Sequence, residues 1–354
     1  MKKLTTNLCL LFGRGQRFIL CSSFVFLFIQ NDAFGFQKDT NTTDYWISLN
    51  DYFNLSLDFE TDYEIFDLQG ADFEYDIRPN FNYVNLIGID YRALSIFFSY
   101  VPPIGGNNDQ ELKGKSSHTG FGFVFNSSRW LNRFHYSKVE GYYLENSEDF
   151  IPDFINGATP YIQFDDLKVT SYQGSHSYNF NPNFSFGAVS SQMAIQLKSA
   201  GSFIPGLFYN YFKVANRSGN GQRSKNLELI INTPYYYTHV INKKWYAGIG
   251  LIPGIGMHFT HLTTTIGNDD FETNYDGTLF RLKATLGLGY NSKTFYAGVA
   301  ARFLEPSKHK KRSMWNIRKQ VNHLEYSLGS IFLLQGRSIQ LMTNLKTNSN
   351  NNII

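Results

Sequence analysis

The stretch Asn183–Val214, NFSFGAVSSQMAIQLKSAGSFIPGLFYNYFKV, shows the pattern that recurs along the chain. Apolar and polar residues alternate along it, and the short polar segment Lys198–Ser202 divides it into two halves. Such alternation indicates half-buried β-strands, so the stretch predicts two amphipathic strands joined by that segment. Neither half is apolar over the ~20 residues that a membrane helix needs. Alternating segments separated by turns are typical of a transmembrane β-barrel.

The same alternation recurs along most of the chain. In Tyr246–Thr260, aliphatic and aromatic side chains share one face, while Gly and His share the other. The segments Thr278–Tyr290 and Phe295–Phe303 repeat the pattern, and residues 51–69 predict a first hairpin. The sequence therefore predicts an all-β fold, an antiparallel transmembrane β-barrel of about 12 strands, with bounds of about 10 and 14.

Composition narrows the class of protein. The chain is 42% hydrophobic, 17% aromatic and only 17% charged, with a mean hydropathy of -0.28. Soluble domains carry about 25% charged residues, so a secreted soluble β-domain that binds carbohydrate is the weaker alternative. The net charge of +3 gives no reason to expect a nucleic-acid partner.

The N-terminus predicts export. Residues 1–35 combine early Lys and Arg residues, the apolar run Phe18–Ile29 and a small-residue site at Ala33–Gly35, as a secretory signal peptide does. A membrane anchor and a lipoprotein at Cys21 are the alternatives, although Leu20 is bulky for a lipoprotein site. We divide the rest into a flexible segment (36–50), the barrel (51–335) and a polar tail (336–354). Cys9 and Cys21 are the only cysteines, so the mature chain would have no disulfide and no cysteine-bound metal.

The last predicted strand carries an assembly signal. Within Val321–Leu334, a polar residue, Gly, an aromatic residue and an apolar residue follow the spacing recognised by the outer-membrane barrel-assembly machinery: Ser327, Gly329, Phe332 and Leu334. Leu334 departs from the aromatic residue usual at the last position, and a tail follows it. We expect outer-membrane lipid and that machinery as partners, and the cell outer membrane as the location.

Loop lengths give an incomplete topology. Counting back from a periplasmic C-terminus places loops 261–277 and 305–320 outside and turn 291–293 inside. Strict alternation through residues 184–226 then puts the long loops 102–116 and 146–165 in the periplasm, against the rule of short periplasmic turns. We infer that one strand in 184–226 is miscounted, and that Lys198–Ser202 is an inward fold or bulge.

Charged residues on the polar faces are the candidate interior site. The alternation places seven of them toward the lumen: Asp90, Arg92, Glu140, Arg281, Lys283, Arg302 and Glu325. They predict either a selectivity lining or a closed, ion-paired interior; the presence of both signs favours the closed one. The basic loop residues Lys308, Lys310, Lys311 and Arg312 would contact lipopolysaccharide phosphates if the loop is outside, or would simply be solvated.

No motif predicts catalysis, a cofactor or a metal. His258 and His261 are three residues apart and fall on opposite faces of a strand. A Ser–His hydrolase would need a convergent Ser, His and orienting group; His118, His135, His176 and His239 are candidates without a motif. The leading hypothesis is a structural or narrow-pore protein, and a lipid-modifying enzyme is the alternative.

Four segments together resemble a known family: Phe184–Ala188, Gln196–Ser202, Arg78–Asn80 and Lys138–Leu144. They are similar to conserved blocks of the uncharacterised outer-membrane-barrel-like family 4421 of the domains of unknown function, a family typical of Bacteroidetes. The resemblance extends over about residues 45–335. It implies a barrel fold and an outer-membrane location, and it brings no catalytic residues.

Overall fold

The computed structural model describes most of the chain between residues 44 and 340. The described ranges are 44–49, 52–62, 65–69, 74–103, 105–106, 109–127, 129–190, 193–216, 221–267, 269–292, 295–305, 316–320, 322–335 and 338–340. The predicted signal peptide, the basic loop at 308–312 and the tail beyond residue 340 lie outside them. Within these ranges no helix is long and apolar enough to cross a bilayer.

The described structure is almost entirely β. The strands are β1 (Trp46–Ser48), β2 (Tyr52–Asp62), β3 (Ile65–Gln69), β4 (Glu74–Arg78), β5 (Val84–Tyr91), β6 (Leu94–Tyr100), β7 (Ser117–Ser127), β8 (Trp130–Leu144), β9 (Gln163–Tyr178), β10 (Ala194–Gln196), β11 (Ala200–Phe203), β12 (Gly206–Asn216), β13 (Gln222–Asn232), β14 (Tyr235–Ile241), β15 (Trp245–Ile266), β16 (Asp269–Asn291), β17 (Phe295–Glu305), β18 (Asn316–Gln320), β19 (Asn322–Gln335) and β20 (Ser338–Gln340). Short helices occupy Gln110–Lys113, Ser147–Asp149 and Gly187–Ser190.

The strands close into a ring of twelve antiparallel positions. The order is β2, β5, β6, β7, β8, β9, β12, β13, β15, β16, β17, β19 and back to β2. The closing contact joins the first and last barrel strands, with Leu57 opposite Leu328. Five of the twelve barrel strands are interrupted and consist of two segments. The pairs of segments are β2 with β3, β4 with β5, β11 with β12, β13 with β14, and β18 with β19. The shorter segments pair with one another or with neighbouring strands. The predicted barrel of about 12 strands is confirmed.

Large apolar side chains cover the outer surface of the barrel. Along β15, Ile249, Leu251 and Ile255 are 55%, 53% and 51% exposed, while the alternate positions are glycines except for Ile252. The same alternation runs through β2, β5, β6, β7, β13, β16 and β17. Tyrosines of three adjacent strands, Tyr136, Tyr172 and Tyr211, stand side by side at one edge of this apolar belt. Trp130 with Tyr178, and Trp245 with Tyr290, lie near the short turns at the other edge.

The two ends of the barrel differ in their connections. One end has tight turns, including the three residues between Ile241 and Trp245, where Asn242 and Lys243 have the positive φ values of 52° and 59° that a type I′ turn requires at its central residues. Tyr52 of β2 and Leu333 of β19 pair at this end, so both barrel termini leave there. The opposite end has the long connections around residues 101–116 and 145–162. We call these the short-turn end and the long-loop end.

Three sequence predictions about connections were wrong. The strand predicted before Lys198 is absent, because the described residues of 183–199 form no barrel strand. This confirms the inference that one strand was miscounted there, and it places both long loops at the same end as Gly267. The segments β2 and β3 are not a hairpin, because they keep one register against β18 and β19. Residues 261–277 are not an open loop, since β15 and β16 stay paired out to Ile266 and Asp269.

Candidate functional site

The barrel interior is the candidate site, because the inner wall gathers small polar side chains. Along each strand, polar residues that face inward alternate with apolar residues that face outward. The inner face of the wall is therefore polar and the outer face is apolar. Its buried polar residues include Asn54, Ser56, Asp90, Ser95, Ser99, Ser137, Ser171, Asn210, Ser224, Asn226 and Thr238. Buried polar groups are retained where they find hydrogen-bond partners, and the inner wall supplies several such groups.

One inner group surrounds Asp90, which is only 5% exposed. The Asn54 Nδ2 donates to the Asp90 carboxylate over 2.6 Å and lies 3.4 Å from the Tyr296 hydroxyl. These residues come from β5, β2 and β17, so the group joins strands on both sides of the closing contact. The hydrogen bond holds the Asp90 carboxylate beside Asn54 and places a fixed polar group on the wall of the lumen.

A second inner group contains the cations of β16. The Arg281 guanidinium lies 4.3 Å from the centre of the Phe208 ring, and the Lys283 ammonium lies 5.7 Å from it. On β15, Gly254 lies opposite Arg281 and leaves space for its side chain to reach Phe208 on β12, while Ile252 lies opposite Lys283. Below them Asn210 donates to Glu228 over 3.2 Å and accepts from Ser171 over 2.8 Å. This group is therefore a mixed cation, carboxylate and amide network.

A third inner group brings serine and histidine together. The Ser99 hydroxyl and the His118 Nε2 are 2.8 Å apart, and His118 packs edge-on against Phe81. A Cβ placed on Gly120 would lie 3.1 Å from the Nε2 atoms of both His118 and His135, so the two imidazoles flank this glycine. The contact between Ser99 and His118 joins neighbouring strands, and sequence spacing alone does not reveal it.

The short-turn end of the lumen holds an internal segment, the described residues of 44–49 and 179–198, which we call the plug. Its strands β1 and β10 form a separate two-stranded sheet, with Ile47 opposite Ile195. Leu49 and Ile195 pack on Tyr296 of the inner wall. Phe186 packs edge-on against Tyr236, another inner-wall residue. The plug therefore lies against the inside of the wall on β14 and β17.

Gln196 holds the plug together. Its Oε1 accepts from the Ser185 backbone N–H over 2.8 Å. Its Nε2 lies within hydrogen-bond distance of three carbonyl oxygens, those of Tyr45, Asn183 and Lys198, at 3.2, 2.8 and 3.0 Å. Because Gln196 is 6% exposed, these bonds are made away from water. One amide side chain thus connects both halves of the plug.

The long-loop end carries a second packed region, the described residues of 74–83, 101–116 and 141–163, which we call the cap. Its core contains Ile77, Phe81, Tyr142 and Leu144, all buried. The Ser116 hydroxyl accepts from the Asn80 N–H over 2.6 Å and donates to the Gly141 carbonyl over 2.7 Å. Gly141 has a φ of +83° and interrupts the pairing of β8 with β9 as a bulge.

The cap also contains a tyrosine group beside a lysine. The Lys113 ammonium lies 4.8 Å from the centre of the Tyr143 ring and 4.9 Å from that of Tyr161. Burial raises the pKa of Tyr143 strongly, and its hydrogen bond to the Glu145 carboxylate raises it further. The phenol therefore stays neutral near pH 7 and donates to Glu145.

The structure places the predicted lumen charges in three different environments. Asp90, Arg281 and Lys283 face inward, as described above, and Arg302 occupies the same face of β17 as Tyr296. Arg92 lies instead in a tight turn, with a φ of 54° and its guanidinium 5.2 Å from the centre of the Tyr91 ring.

Glu140 lies on the outer face. Its carboxylate is 2.8 Å from the Lys138 ammonium and 3.4 Å from that of Lys168. Inward positions of this part of β8 are Ser137 and Val139, so Glu140 has the opposite phase from the one expected. Glu325 is described only as a backbone position of β19, opposite Ala300 and Glu60.

The remaining candidates are described in part or not at all. The proposed assembly signal, Ser327, Gly329, Phe332 and Leu334, lies in β19, and its side chains are outside the described structure. The same holds for the basic loop Lys308, Lys310, Lys311 and Arg312. His258 and His261 lie on opposite faces, His258 beside Thr260 and Phe212 and His261 beside Asn274. Among the described residues, no group of three or more His, Cys, Asp or Glu could hold a metal ion.

Sequence reasoning missed the plug and the Ser99–His118 contact. The segment around Gln196 is predicted from its alternation to be a barrel strand, and only the structure shows that Gln196 is buried and bonded to both halves of the plug.

Comparison with known proteins gives one family and several similar folds. The family described as Domain of unknown function (DUF4421) matches residues 37–329. No curated protein matches the sequence.

Three solved structures illustrate the similarity of fold. The outer membrane protease OmpT from Escherichia coli is 6% identical, with a TM-score of 0.38, over 80% of this chain and 96% of that one. The beta domain of the Bordetella autotransporter BrkA is 10% identical, with a TM-score of 0.35, over 78% and 98%. The P. putida toluene transporter TodX is 8% identical, with a TM-score of 0.26, over 83% and 91%. Similarity at this level carries no inference about activity.

Proposed function

The chain belongs to the family described as Domain of unknown function (DUF4421), and from that premise we propose an integral outer-membrane barrel with a structural or narrow-pore role and no catalysis. The outward apolar belt supports the membrane location. Large exposed apolar patches mark membrane or protein contacts, and here they follow every second residue around the ring. Short turns and both barrel termini at one end are the periplasmic pattern, so the cap would face outward.

The plug is the observation that supports a narrow rather than an open passage. It packs on inner-wall residues of β14 and β17, at the end where solutes would enter the periplasm. A segment fixed in this position reduces the free cross-section of the lumen. The mixed inner charges at Asp90, Glu228, Arg281 and Lys283 add no single-sign field that would select one ion strongly.

Conductance in planar bilayers tests this function. We expect small, rare openings from the wild-type protein and a several-fold larger conductance from Gln196→Glu. This change removes the Nε2 donor and brings a carboxylate next to three carbonyl oxygens, which costs the desolvation of each unsatisfied group. Gln222→Glu is the matched control, because it makes the same change at an exposed position on β13.

The state of the protein is checked on a denaturing gel, where a closed barrel migrates differently before and after boiling. Equal conductance of Gln196→Glu and wild type, with both bands heat-modifiable, would contradict a plug that restricts the pore. Recovery of the wild-type protein in the soluble fraction after carbonate extraction would refute the membrane location and leave the secreted carbohydrate-binding domain.

The lipid-modifying enzyme has one observation in its favour, the 2.8 Å contact between Ser99 and His118. A Ser–His hydrolase needs an accessible nucleophile, whereas Ser99 is 2% exposed on the inner wall. We therefore assign the pair to the structure of the wall. We expect a fluorophosphonate to label neither the wild type nor Ser99→Ala. Labelling of the wild type that disappears in Ser99→Ala would instead establish the enzyme.

A further inference from the structure

Cations on the outer face form a compact group just beyond the tyrosines at the long-loop end of the belt. Five of them lie on four adjacent strands, β8, β9, β12 and β13: Lys138, Lys168, Lys213, Arg223 and Lys225. The ladder registers place Lys138 opposite Thr170, Thr170 opposite Lys213, and Lys213 opposite Lys225. Lys168 and Arg223 belong to the next row, on either side of Ala215. We call this group the basic row.

The position of the basic row follows from the strand alternation. On β8 and β12, a lysine comes two residues after the tyrosine that ends the outward apolar face, Lys138 after Tyr136 and Lys213 after Tyr211. On β13, Lys225 precedes Leu227 by the same interval, because that strand runs the opposite way. The ammonium groups therefore project from the lipid-facing side at the edge of the belt. Tyrosine at this edge is typical of the membrane interface.

Carboxylates neutralise only part of the basic row. Glu140 contacts Lys138 and Lys168, and Arg223 is 2.7 Å from Asp270. For Lys213 and Lys225, no carboxylate of the described residues lies within 4.0 Å. The Lys213 ammonium instead lies 5.6 Å from the centre of its neighbouring Tyr211 ring.

Two lysines directly opposite each other in a ladder repel. Like charges at such a position destabilise a sheet, and Lys213 and Lys225 occupy it on adjacent strands. Their repulsion is stronger near a bilayer, where the effective dielectric constant falls below that of water. A phosphate group between the two ammonium groups would remove this cost and gain charge-assisted hydrogen bonds.

We propose that the basic row binds the phosphate groups of a phosphorylated glycolipid in the outer leaflet, with Lys213 and Lys225 as the central contacts. The acyl chains of such a lipid would lie on the apolar belt below Tyr211 and Leu227, which continues without a break from the cations. This site rests on the proposed membrane location with the long-loop end outside. It is distinct from the loop at 308–312, since all its residues lie on barrel strands.

The test compares two double variants in detergent. Lys213→Gln/Lys225→Gln removes the two central charges and keeps side-chain length. Lys243→Gln/Lys244→Gln removes the same charge from the turn at the opposite end of the barrel. Each protein is titrated with diphosphorylated lipid A, and protection is measured as the upward shift of the temperature at which the heat-modifiable band is lost. Lipid A without phosphates and inorganic phosphate are titrated in parallel.

We expect lipid A to protect the wild type and the Lys243/Lys244 variant alike, and to bind the Lys213/Lys225 variant at least about tenfold more weakly, since each lysine near a membrane surface contributes to anionic lipid binding. Phosphate-free lipid A and inorganic phosphate should give no comparable protection. Equal binding by the two double variants would overturn the site, as would full protection by phosphate-free lipid A. Full protection by inorganic phosphate would show an anion site without a lipid. Carbonate extraction of the wild type separates these results from a failure of the membrane location itself.

Discussion

Replacing Ser116 by Ala should loosen the cap while leaving the barrel closed. The Ser116 side chain is 1% exposed and makes two buried hydrogen bonds, accepting from Asn80 and donating to Gly141. These bonds connect two of the segments that resemble conserved family blocks, Arg78–Asn80 and Lys138–Leu144. The substitution removes both and adds no compensating group.

The size of the effect follows from the two polar groups that lose this partner. Each buried donor or acceptor left unsatisfied costs about 1–3 kcal/mol, so we expect the free energy of opening the cap to fall by about 3 kcal/mol. That corresponds to amide exchange faster by on the order of 100-fold in residues 79–82 and 141–145.

Hydrogen exchange followed by mass spectrometry, in the same detergent for every variant, is the assay. Ser117→Ala is the control, because Ser117 is the next residue and is exposed at the start of β7. Peptides from β15 and β16 should exchange alike in all three proteins. The hydrogen-bond reasoning fails if Ser116→Ala and Ser117→Ala exchange at the same rate in the cap.

Two further substitutions test the bulge and the belt. Gly141→Ala should lower the free energy of unfolding by at least about 2 kcal/mol, because the φ of Gly141 is +83° and a Cβ there would lie 2.0 Å from the Lys115 carbonyl oxygen. The heat-modifiable band should therefore be lost at a lower temperature. Gly157→Ala has a similar φ of +81° and no atom within 4 Å, so an equal loss in both variants would exclude the contact as the cause. Ile249→Arg should destabilise the lipid-inserted protein by about 2–4 kcal/mol, as a cation near the bilayer midplane does. Urea unfolding in vesicles measures this, and Ile266→Arg, beyond the belt on the same strand, should cost much less; equal costs would contradict the position of the belt.

The belt could be predicted from the sequence because its two faces contact different media. Ile249, Leu251 and Ile255 face an apolar environment, and the glycines among the residues between them face the packed interior. Large apolar and small residues therefore alternate with a period of two along the strand. Beyond residue 261, β15 has polar residues on both faces, since water reaches both sides of the hairpin. The periodic signal disappears there although the strand continues, and the sequence therefore predicts a loop at residues 261–277.

The plug could not be recognised from alternation alone. Phe184, Ser185 and Phe186 alternate like a barrel strand, but here the two rings pack against Ile204 and Tyr236. The Ser185 hydroxyl between them accepts a hydrogen bond from the Ala188 N–H instead. Period alone reports that two environments differ; it does not identify the neighbours. The orientation of Glu140 could not be predicted for a related reason. The bulge at Gly141, directly after Glu140, shifts the inward and outward alternation of β8.

The pairing of β19 with β2 also determines when the wall can be completed. Leu57 and Leu328 are opposite each other although they are 271 positions apart in the sequence. Contacts so distant in sequence form slowly, and until the last strand arrives, β2 and β17 each present an open edge that can pair with another molecule. A chain that ended at Glu305 would therefore have all the barrel strands except the last one, and it would still expose two unpaired strand edges. For this protein, the final thirty or so residues of the barrel decide between a finished molecule and an aggregate.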